Sequence, residues 1–521
     1  MMLDNRIPLE MGHNLIFLRF LAIIISNRDL VNLNFNWRKG VDMFIGREAE
    51  LKFLNDKYEA DDGQLVVFYG RRRVGKTETL REFCKDKPHV FFSSTQTTDK
   101  AQLRKFSLRL LKEDIPARNY ISEFEDWEKA FRSVLDFPYG DKKMLLVIDE
   151  FPYMCRENKS IPSILQKLWD TELRQNNVMI ILCGSSVGFI EKDLLAKKNP
   201  LYGRATGIYK MKEMGFYDAA KFFPDYSARD KVLAYAVLGG IPYYLIQWSS
   251  KLSVEDNIKK NILTKGCVLY SEVEFILHQE LRETSVYNSI IEAIANGNIK
   301  LKNITENSFV GDTSKASVYL KKLIELGIVE REFSVTEKAN KNRGIYRLTD
   351  NFFRFWYAFG YTNYSQLEEG DVNGVYEFTV KPTLHEFASY AFADICREFV
   401  SEKQKGNELP FRYTKIGKWF GKTTVRDANK KNGCRTAETK IDVLCIDRMG
   451  ENYLVGECKF RGVPFSYSEY IDILAKLMPL KEKAKFYYAL FSESGFDEKI
   501  SLEAENKNIK LYDLEEIVGL I

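Results

Sequence analysis

Between Leu65 and Leu80 the chain reads LVVFYGRRRVGKTETL, and no other stretch restricts the fold as much. Leu65, Val66, Val67, Phe68 and Tyr69 form a short apolar run of β-forming residues, which predicts a fully buried strand. Gly70 ends it, and Gly70-Arg71-Arg72-Arg73-Val74-Gly75-Lys76-Thr77 meets the pattern G-x-x-x-x-G-K-[ST] at every fixed position. The spacing has a chemical reason. Glycines let a tight loop turn its backbone N–H groups onto one anion, and the helix predicted by TETLREFCK adds its positive N-terminal end. Lys76 is placed to reach β- and γ-phosphates, and the Thr77 hydroxyl to complete a Mg²⁺ shell. A buried strand, this loop and a helix predict an α/β domain that binds a nucleoside triphosphate.

The chain has 521 residues, room for about three domains. A net charge of +4 is too small by itself to argue for nucleic acid or a membrane surface. The eight cysteines show no C-x-x-C pair, and His13, His89, His278 and His385 lie far apart. That pattern argues against a Cys/His zinc site and predicts reduced thiols in the cytoplasm. The apolar stretch Leu15 to Ile25 carries Arg19 and is about half the length that spans a bilayer, so no membrane segment is expected. Residues 1–42 hold no recognisable motif and receive no function.

From Met43 the sequence MFIGREAELKFLNDKY predicts a turn at Gly46 and then an amphipathic helix, with Glu48 and Glu50 favoured in its first turn. HVFFSST, residues 89–95, predicts a second strand. KKMLLVIDEFPY, residues 142–153, predicts a third that ends in Asp149-Glu150. Two acids at the C-terminal edge of a buried strand suit Mg²⁺-dependent phosphate chemistry: Asp149 can hold the metal and Glu150 can polarise the attacking water. NVMIILCGSS, residues 177–186, is another buried strand, after which Ser185 or Ser186 could sit beside a γ-phosphate. Arg204, in Pro200-Leu201-Tyr202-Gly203-Arg204, could reach a γ-phosphate of its own or a neighbouring subunit, or serve only as an exposed structural arginine.

FIGREAEL, GRRRVGKT, LLVIDEFPYM, CGSS, LYGR and Leu238-Gly239-Gly240-Ile241-Pro242, in that order, resemble the archaeal-type ATPases, a prokaryotic branch of the AAA-like signal-transduction (STAND) P-loop ATPases. The resemblance runs over roughly 43–521 and implies ATP and Mg²⁺ as cofactors. It implies an ASCE-type core in which Lys76 and Thr77 bind phosphate and Mg²⁺, Asp149 binds Mg²⁺ and Glu150 is the base. It also places Ile45, Gly46 and Arg47 near adenine and ribose, and Pro242 in a helical lid over the nucleotide. Proteins of this kind often form homo-oligomers.

Residues 285–350 change period. SVYNSIIEAIANG, LKNITENSF and TSKASVYLKKLIELGIV predict three short helices, and EREFSVTEKANKNRGIYRLTD predicts two strands about a turn with Lys338, Lys341 and Arg343. Three helices and such a wing make a winged helix-turn-helix. Its third helix presents Lys315, Lys321 and Lys322, open to DNA contact or to protein docking. NFFRFWYAFG, residues 351–360, is too aromatic for a surface and predicts a buried connector.

The last part offers a helix with Glu386, a strand with Asp442, and a strand YLVGECKF in which period two puts Glu457 and Lys459 on one face and Cys458 on the other. A further helix and strand follow. This order resembles a PD-(D/E)xK nuclease core, although Ile441 stands where a proline often precedes the acid. By that resemblance Asp442 and Glu457 bind Mg²⁺, Glu386 assists the metal, and Lys459 stabilises the attacking water or developing charge. The expected fold class is therefore α/β: a P-loop ASCE/AAA-like parallel sheet (43–212), a helical lid (213–280), a winged helix (281–350), a connector (351–380) and a C-terminal α/β restriction-endonuclease-like domain (381–521). The expected function is an ATP-hydrolysing switch that gates a DNA-directed, nuclease-like activity. The alternative is a signalling ATPase whose winged helix and C-terminal domain bind a protein partner.

Overall fold

In a computed structural model, residues 44–138, 140–336, 344–426, 434–476, 484–506 and 508–520 are described, and Ile45–Ile521 forms one compact unit. Helix α1 (Glu48–Tyr58) leads into β1 (Gln64–Tyr69), whose six residues are all buried. There follow α2 (Lys76–Cys84), β2 (His89–Ser93), β3 (Met144–Asp149), α3 (Phe151–Glu157), β4 (Val178–Gly184) and β5 (Gly207–Lys210). The strands form one parallel sheet in the order β2-β3-β4-β1-β5. Strands covered on both faces require continuous apolar runs, which is how β1, β3 and β4 read in the sequence. β5 is a short edge with Ile208 and Lys210 exposed, and it carries no such signal.

Parallel pairing puts the C-terminal ends of the strands on one edge. Tyr69 pairs with Gly184 and Ile148 with Leu182, so the loops after β1, β3 and β4 leave the sheet side by side. Binding sites of open α/β sheets form at that edge.

Beyond the sheet, α4 (Ala228–Leu238) ends at Gly239-Gly240, and Pro242 opens the next helical turn. α5 (Glu272–Glu280) is followed by α6 (Thr284–Ala295), α7 (Leu301–Asn307) and α8 (Thr313–Glu325). Asp312 caps α8, its carboxylate accepting from the N–H groups of Ser314 and Lys315, each at 2.8 Å. The antiparallel pair β6 (Val329–Glu332) and β7 (Ile345–Leu348) completes a three-helix unit with a two-stranded wing. The basic wing turn with Lys338, Lys341 and Arg343 lies outside the described residues. α9 (Asn351–Phe355) continues in wider turns to Tyr361 and buries Phe352, Phe353 and Phe355 completely.

The last region is α10 (Lys381–Lys405), β8 (Lys415–Arg426), β9 (Cys434–Ile446), β10 (Asn452–Lys459), α11 (Tyr467–Lys476), β11 (Lys485–Ser492), α12 (Glu498–Asn506) and β12 (Ile509–Asp513). The sheet is mixed, in the order β12-β11-β10-β9-β8, with β8, β9 and β10 antiparallel and β10, β11 and β12 parallel. β8 and β12 were not foreseeable as strands: lysines and glycines interrupt the first, and the second is five residues long. One apolar core runs from Phe216 and Leu238 through Ile290, Leu320, Phe352 and Phe355 to Phe392 of α10 and Val443 and Phe491 of the mixed sheet. Borders drawn from changes of period near 280, 350 and 380 therefore separate elements within a shared core.

Candidate active site

Every local feature of the phosphate loop follows from the turn it must make. Gly75 has φ +92°, a left-handed conformation that a side chain disfavours, and it caps α2 without a side chain of its own. Lys76 is buried, and its Nζ donates to the Arg71 carbonyl at 2.9 Å. Burial lowers the pKa of Lys76, against the pull of Asp149 and Glu150. Thr77 Oγ1 donates to Asp149 Oδ2 at 2.8 Å. A hydroxyl and a carboxylate in contact are hard oxygen donors, and they fit a Mg²⁺ ion that would exchange their mutual bond for two ligand bonds.

Glu150 stands at φ +52°, rare for a residue with a side chain, and begins α3. Its backbone N–H donates to Asp149 Oδ1 at 3.0 Å, and its Oε2 accepts from the Ser185 N–H at 3.3 Å. The structure thus brings Lys76, Thr77, Asp149, Glu150 and Ser185 together on one sheet edge. Ser185 takes part through its backbone N–H. Pro242 of the lid comes against the loop, since a Cβ on Gly75 would lie 3.7 Å from its Cγ.

Arg47 is buried behind the loop. Its guanidinium donates to Glu50 at 3.0 Å, to the Lys212 carbonyl at 2.9 Å and to the Val74 carbonyl at 2.7 Å. That side chain braces the phosphate loop from behind. Gly46, at φ +67°, packs so closely on the Asp218 carboxylate that a Cβ would come within 2.8 Å of it, and Ile45 precedes it.

Each of the three loop arginines also reaches an acid beyond the parallel sheet. Arg71 Nη2 donates to Asp350 Oδ2 at 2.8 Å, and Arg72 Nε donates to Glu280 Oε1 at 2.7 Å. Arg73 Nη1 lies 2.5 Å from Glu272 Oε2, and the Arg73 guanidinium stacks 3.9 Å from the centre of the Tyr243 ring. Burial pushes the Glu272 carboxyl up to about 8, more than Arg73 pulls it down. The acidic partners were missed in the sequence: nothing local distinguishes Glu272, Glu280 or Asp350 from other helix-terminal acids.

Arg204 belongs to the other end of the sheet. Thr206 N donates to the Leu65 carbonyl at 2.8 Å and Gly207 pairs with Val66, so the residues before β5 lie at the edge where β1 begins. The length of β1, roughly 20 Å at about 3.3 Å per residue, separates that edge from the phosphate loop. Arg204 is held there by Asp170, with Nε and Nη2 donating at 2.9 and 2.7 Å. The same-subunit role considered for Arg204 is corrected accordingly.

In the C-terminal region Lys459 Nζ lies 3.0 Å from Glu457 Oε1 and 3.8 Å from Glu469 Oε1, while Cys458 packs into the core with Val443 and Cys445. Asp442, on the neighbouring strand, accepts from the Cys458 N–H at 3.3 Å. Glu386 is exposed, and its helix meets Asp442 through Arg397, about three turns further along. Among the described residues no group of three or more His, Cys, Asp or Glu side chains is arranged to hold a metal ion. Among them, too, no helix is long and apolar enough to cross a membrane.

A phosphate loop, a paired hydroxyl and carboxylate, and a poised glutamate at the C-terminal edge of a parallel sheet define a P-loop ATPase. Residues 44–248 match the family described as an ATPase domain predominantly from Archaea, and residues 356–471 match one described as Archaea bacterial proteins of unknown function. An uncharacterized protein of Methanocaldococcus jannaschii is 31% identical over 478 residues, covering 91% of this chain and 100% of that protein. The chain belongs to the family that this relative represents, in which an archaeal-type ATP-binding and hydrolysing domain precedes a C-terminal domain of unknown function. An uncharacterized ATP-binding protein of the same organism is 44% identical over 48 residues, 9% of this chain and 81% of that protein. Among solved structures, the Walker-type ATPase of Pyrococcus abyssi has 19% identity and a TM-score of 0.44, covering 60% of this chain and 96% of its own. The ORC2 protein of Aeropyrum pernix has 13% identity and a TM-score of 0.41, covering 66% of this chain and 96% of its own.

Proposed function

We propose that this ATPase is a switch in which ATP binding and hydrolysis gate a DNA-directed activity of the C-terminal half. The observation that carries the proposal is the set of three close contacts of Arg71, Arg72 and Arg73 with the carboxyl groups of Asp350, Glu280 and Glu272. A loop that closes on phosphates cannot move without loading those pairs. Their partners sit on α5 and at the start of α9, inside or beside the core that continues to the mixed sheet.

In the hydrolysis step Lys76 and the loop N–H groups hold the β- and γ-phosphates, and Thr77 and Asp149 would hold Mg²⁺, which supplies charge neutralisation. Glu150 orients a water and takes its proton. The water oxygen bonds to the γ-phosphorus while the bridging oxygen leaves with its electron pair on ADP. Ser185 N–H keeps the Glu150 carboxylate aimed at that edge.

The DNA arm is supported by the solvated face of α8, where Lys315 and Lys321 are exposed beside Thr313, Ser314 and Ser317. The nuclease arm is supported by the contact of Glu457 with Lys459, with Asp442 one strand away. A mobility-shift titration tests the DNA arm. The full chain should shift a duplex with affinity that falls linearly on logarithmic salt axes, by about 0.9 per phosphate contact. Lys315→Glu with Lys321→Glu should weaken binding on all sequences and flatten the slope by about two. No shift at low salt would favour a second reading, in which the same helix docks on a protein. That reading has its own support: Phe309, in the turn before α8, is 91% exposed, and Val318 on α8 is 69% exposed.

A further inference from the structure

Arg204 lies at the wrong edge of its own sheet, yet phosphoryl transfer gains from a guanidinium at the γ-phosphoryl oxygens, where transition-state charge spreads. The loop itself carries one on the correct edge. Arg72 reaches toward the C-terminal edge, where its Nη2 donates to Tyr153 Oη at 3.2 Å. Tyr153 is on α3, the helix that Glu150 begins. The Arg72 charge is also close enough to Lys76 to disfavour the Lys76 ammonium, after burial, which is the larger cause. One guanidinium therefore bonds to the helix of the base and lies within electrostatic reach of the phosphate lysine.

The three loop arginines are not equivalent. Arg71 ends on Asp350, whose side chain is 1% exposed, and Arg73 ends on Glu272, at 2%. Both are committed to buried acids, where a lost partner is costly. The Arg72–Glu280 pair is the most solvated of the three, at 33% and 20%. A partly solvated pair is weak and exchanges readily.

We propose that Arg72 is the catalytic arginine of this ATPase, supplied by the phosphate loop of the same chain, and that Glu280 competes with the γ-phosphate for it. A guanidinium fork matches two phosphoryl oxygens as well as it matches a carboxylate, so ATP can displace Glu280 from the same donors. ADP, which has no γ-phosphate, cannot. Release of Glu280 from the loop then reports to α5 that ATP is present. The inference rests on the hydrolysis reading above, with Glu150 as base.

The experiment begins with wild-type turnover and its loss in Glu150→Gln, which tests that reading alone. Turnover that survives Glu150→Gln overturns the base assignment. With that loss in hand, Arg72→Ala should lower kcat by about a thousandfold while ATP affinity stays near the wild-type value. Glu280→Gln should do the opposite and raise turnover about two- to fivefold by freeing the arginine. In the Glu150→Gln background, Glu280→Gln should also tighten ATP relative to ADP by a similar factor, read by calorimetry. If Arg72 is only a tether, both substitutions lower turnover together, and that result overturns the proposal. Unchanged turnover in Arg72→Ala overturns it equally. Should Arg72→Ala fail to fold, Glu280→Gln decides alone: turnover at or below wild type, or an unchanged ATP-to-ADP ratio, is the negative result.

Discussion

Glu150 is held in the left-handed region at φ +52°, where a side chain costs about 1 kcal/mol or more. The turn that creates this strain also swings its carboxylate beneath Ser185 N–H and leaves Asp149 facing Thr77. Two adjacent acids thereby meet different partners, because consecutive side chains leave the end of β3 in different directions. Lys76→Ala should abolish tight ATP binding, since it removes the cation that meets the phosphates. Glu150→Gln should keep ATP bound and slow hydrolysis by about a hundredfold or more. Single-turnover kinetics beside equilibrium binding checks both, and a Glu150→Gln protein with wild-type turnover would end the assignment.

At the scale of elements, α5 is the part that sequence reading undervalues. It looks like one more lid helix, yet Glu272 at its start meets Arg73 and Glu280 at its end meets Arg72. Glu272 makes stability depend on pH in a defined direction. Its folded pKa of about 8 lies above the ordinary 4.5, so the folded state binds the extra proton. The stability it contributes is fully present below about 4.5 and lost as pH rises through about 8. Glu272→Gln should flatten the thermal melting profile between those limits, whereas an unaltered slope would show that the carboxyl titrates normally. Arg204 teaches the opposite lesson about elements. Its motif left a catalytic and a structural role open, and a short edge strand, β5, delivers it to the end of its own sheet away from the phosphate loop.

Over the whole molecule, one core joins the helices beyond residue 213 to the mixed sheet, while the parallel sheet keeps cores of its own and meets that body through the loop arginines. If the C-terminal sheet cuts DNA, the cation must rest on Asp442 and Glu457, with Lys459 beside them to stabilise developing charge. Two carboxylates on adjacent strands leave water in the metal shell. The protein should then cleave plasmid DNA with Mn²⁺ when ATP is present, and the Lys76→Ala protein, which keeps nucleotide off the other site, should still bind Mn²⁺. Adding Asp442→Ala should remove metal binding and cutting, and adding Lys459→Ala should remove only cutting. Calorimetry showing no Mg²⁺ or Mn²⁺ uptake with DNA present would leave the protein-docking reading.

What the sequence determined by itself was what each separate strand–loop–helix unit encodes locally. The apolar runs of β1, β3 and β4 demanded a parallel sheet buried on both faces, and Gly75, Lys76, Thr77, Asp149 and Glu150 were legible because their spacing is set by backbone geometry over a few residues. The E-x-K spacing of Glu457 and Lys459 was legible for the same reason, since period two is a property of any strand. What only the tertiary structure decided were pairings between residues far apart in the chain: Arg71 with Asp350, Arg72 with Glu280, Arg73 with Glu272, and Arg204 with Asp170. An arginine in a loop has the same local signal whatever acid it meets. Its partner is chosen by how the helices pack, and that packing is set by apolar side chains far apart in the chain settling into common cores.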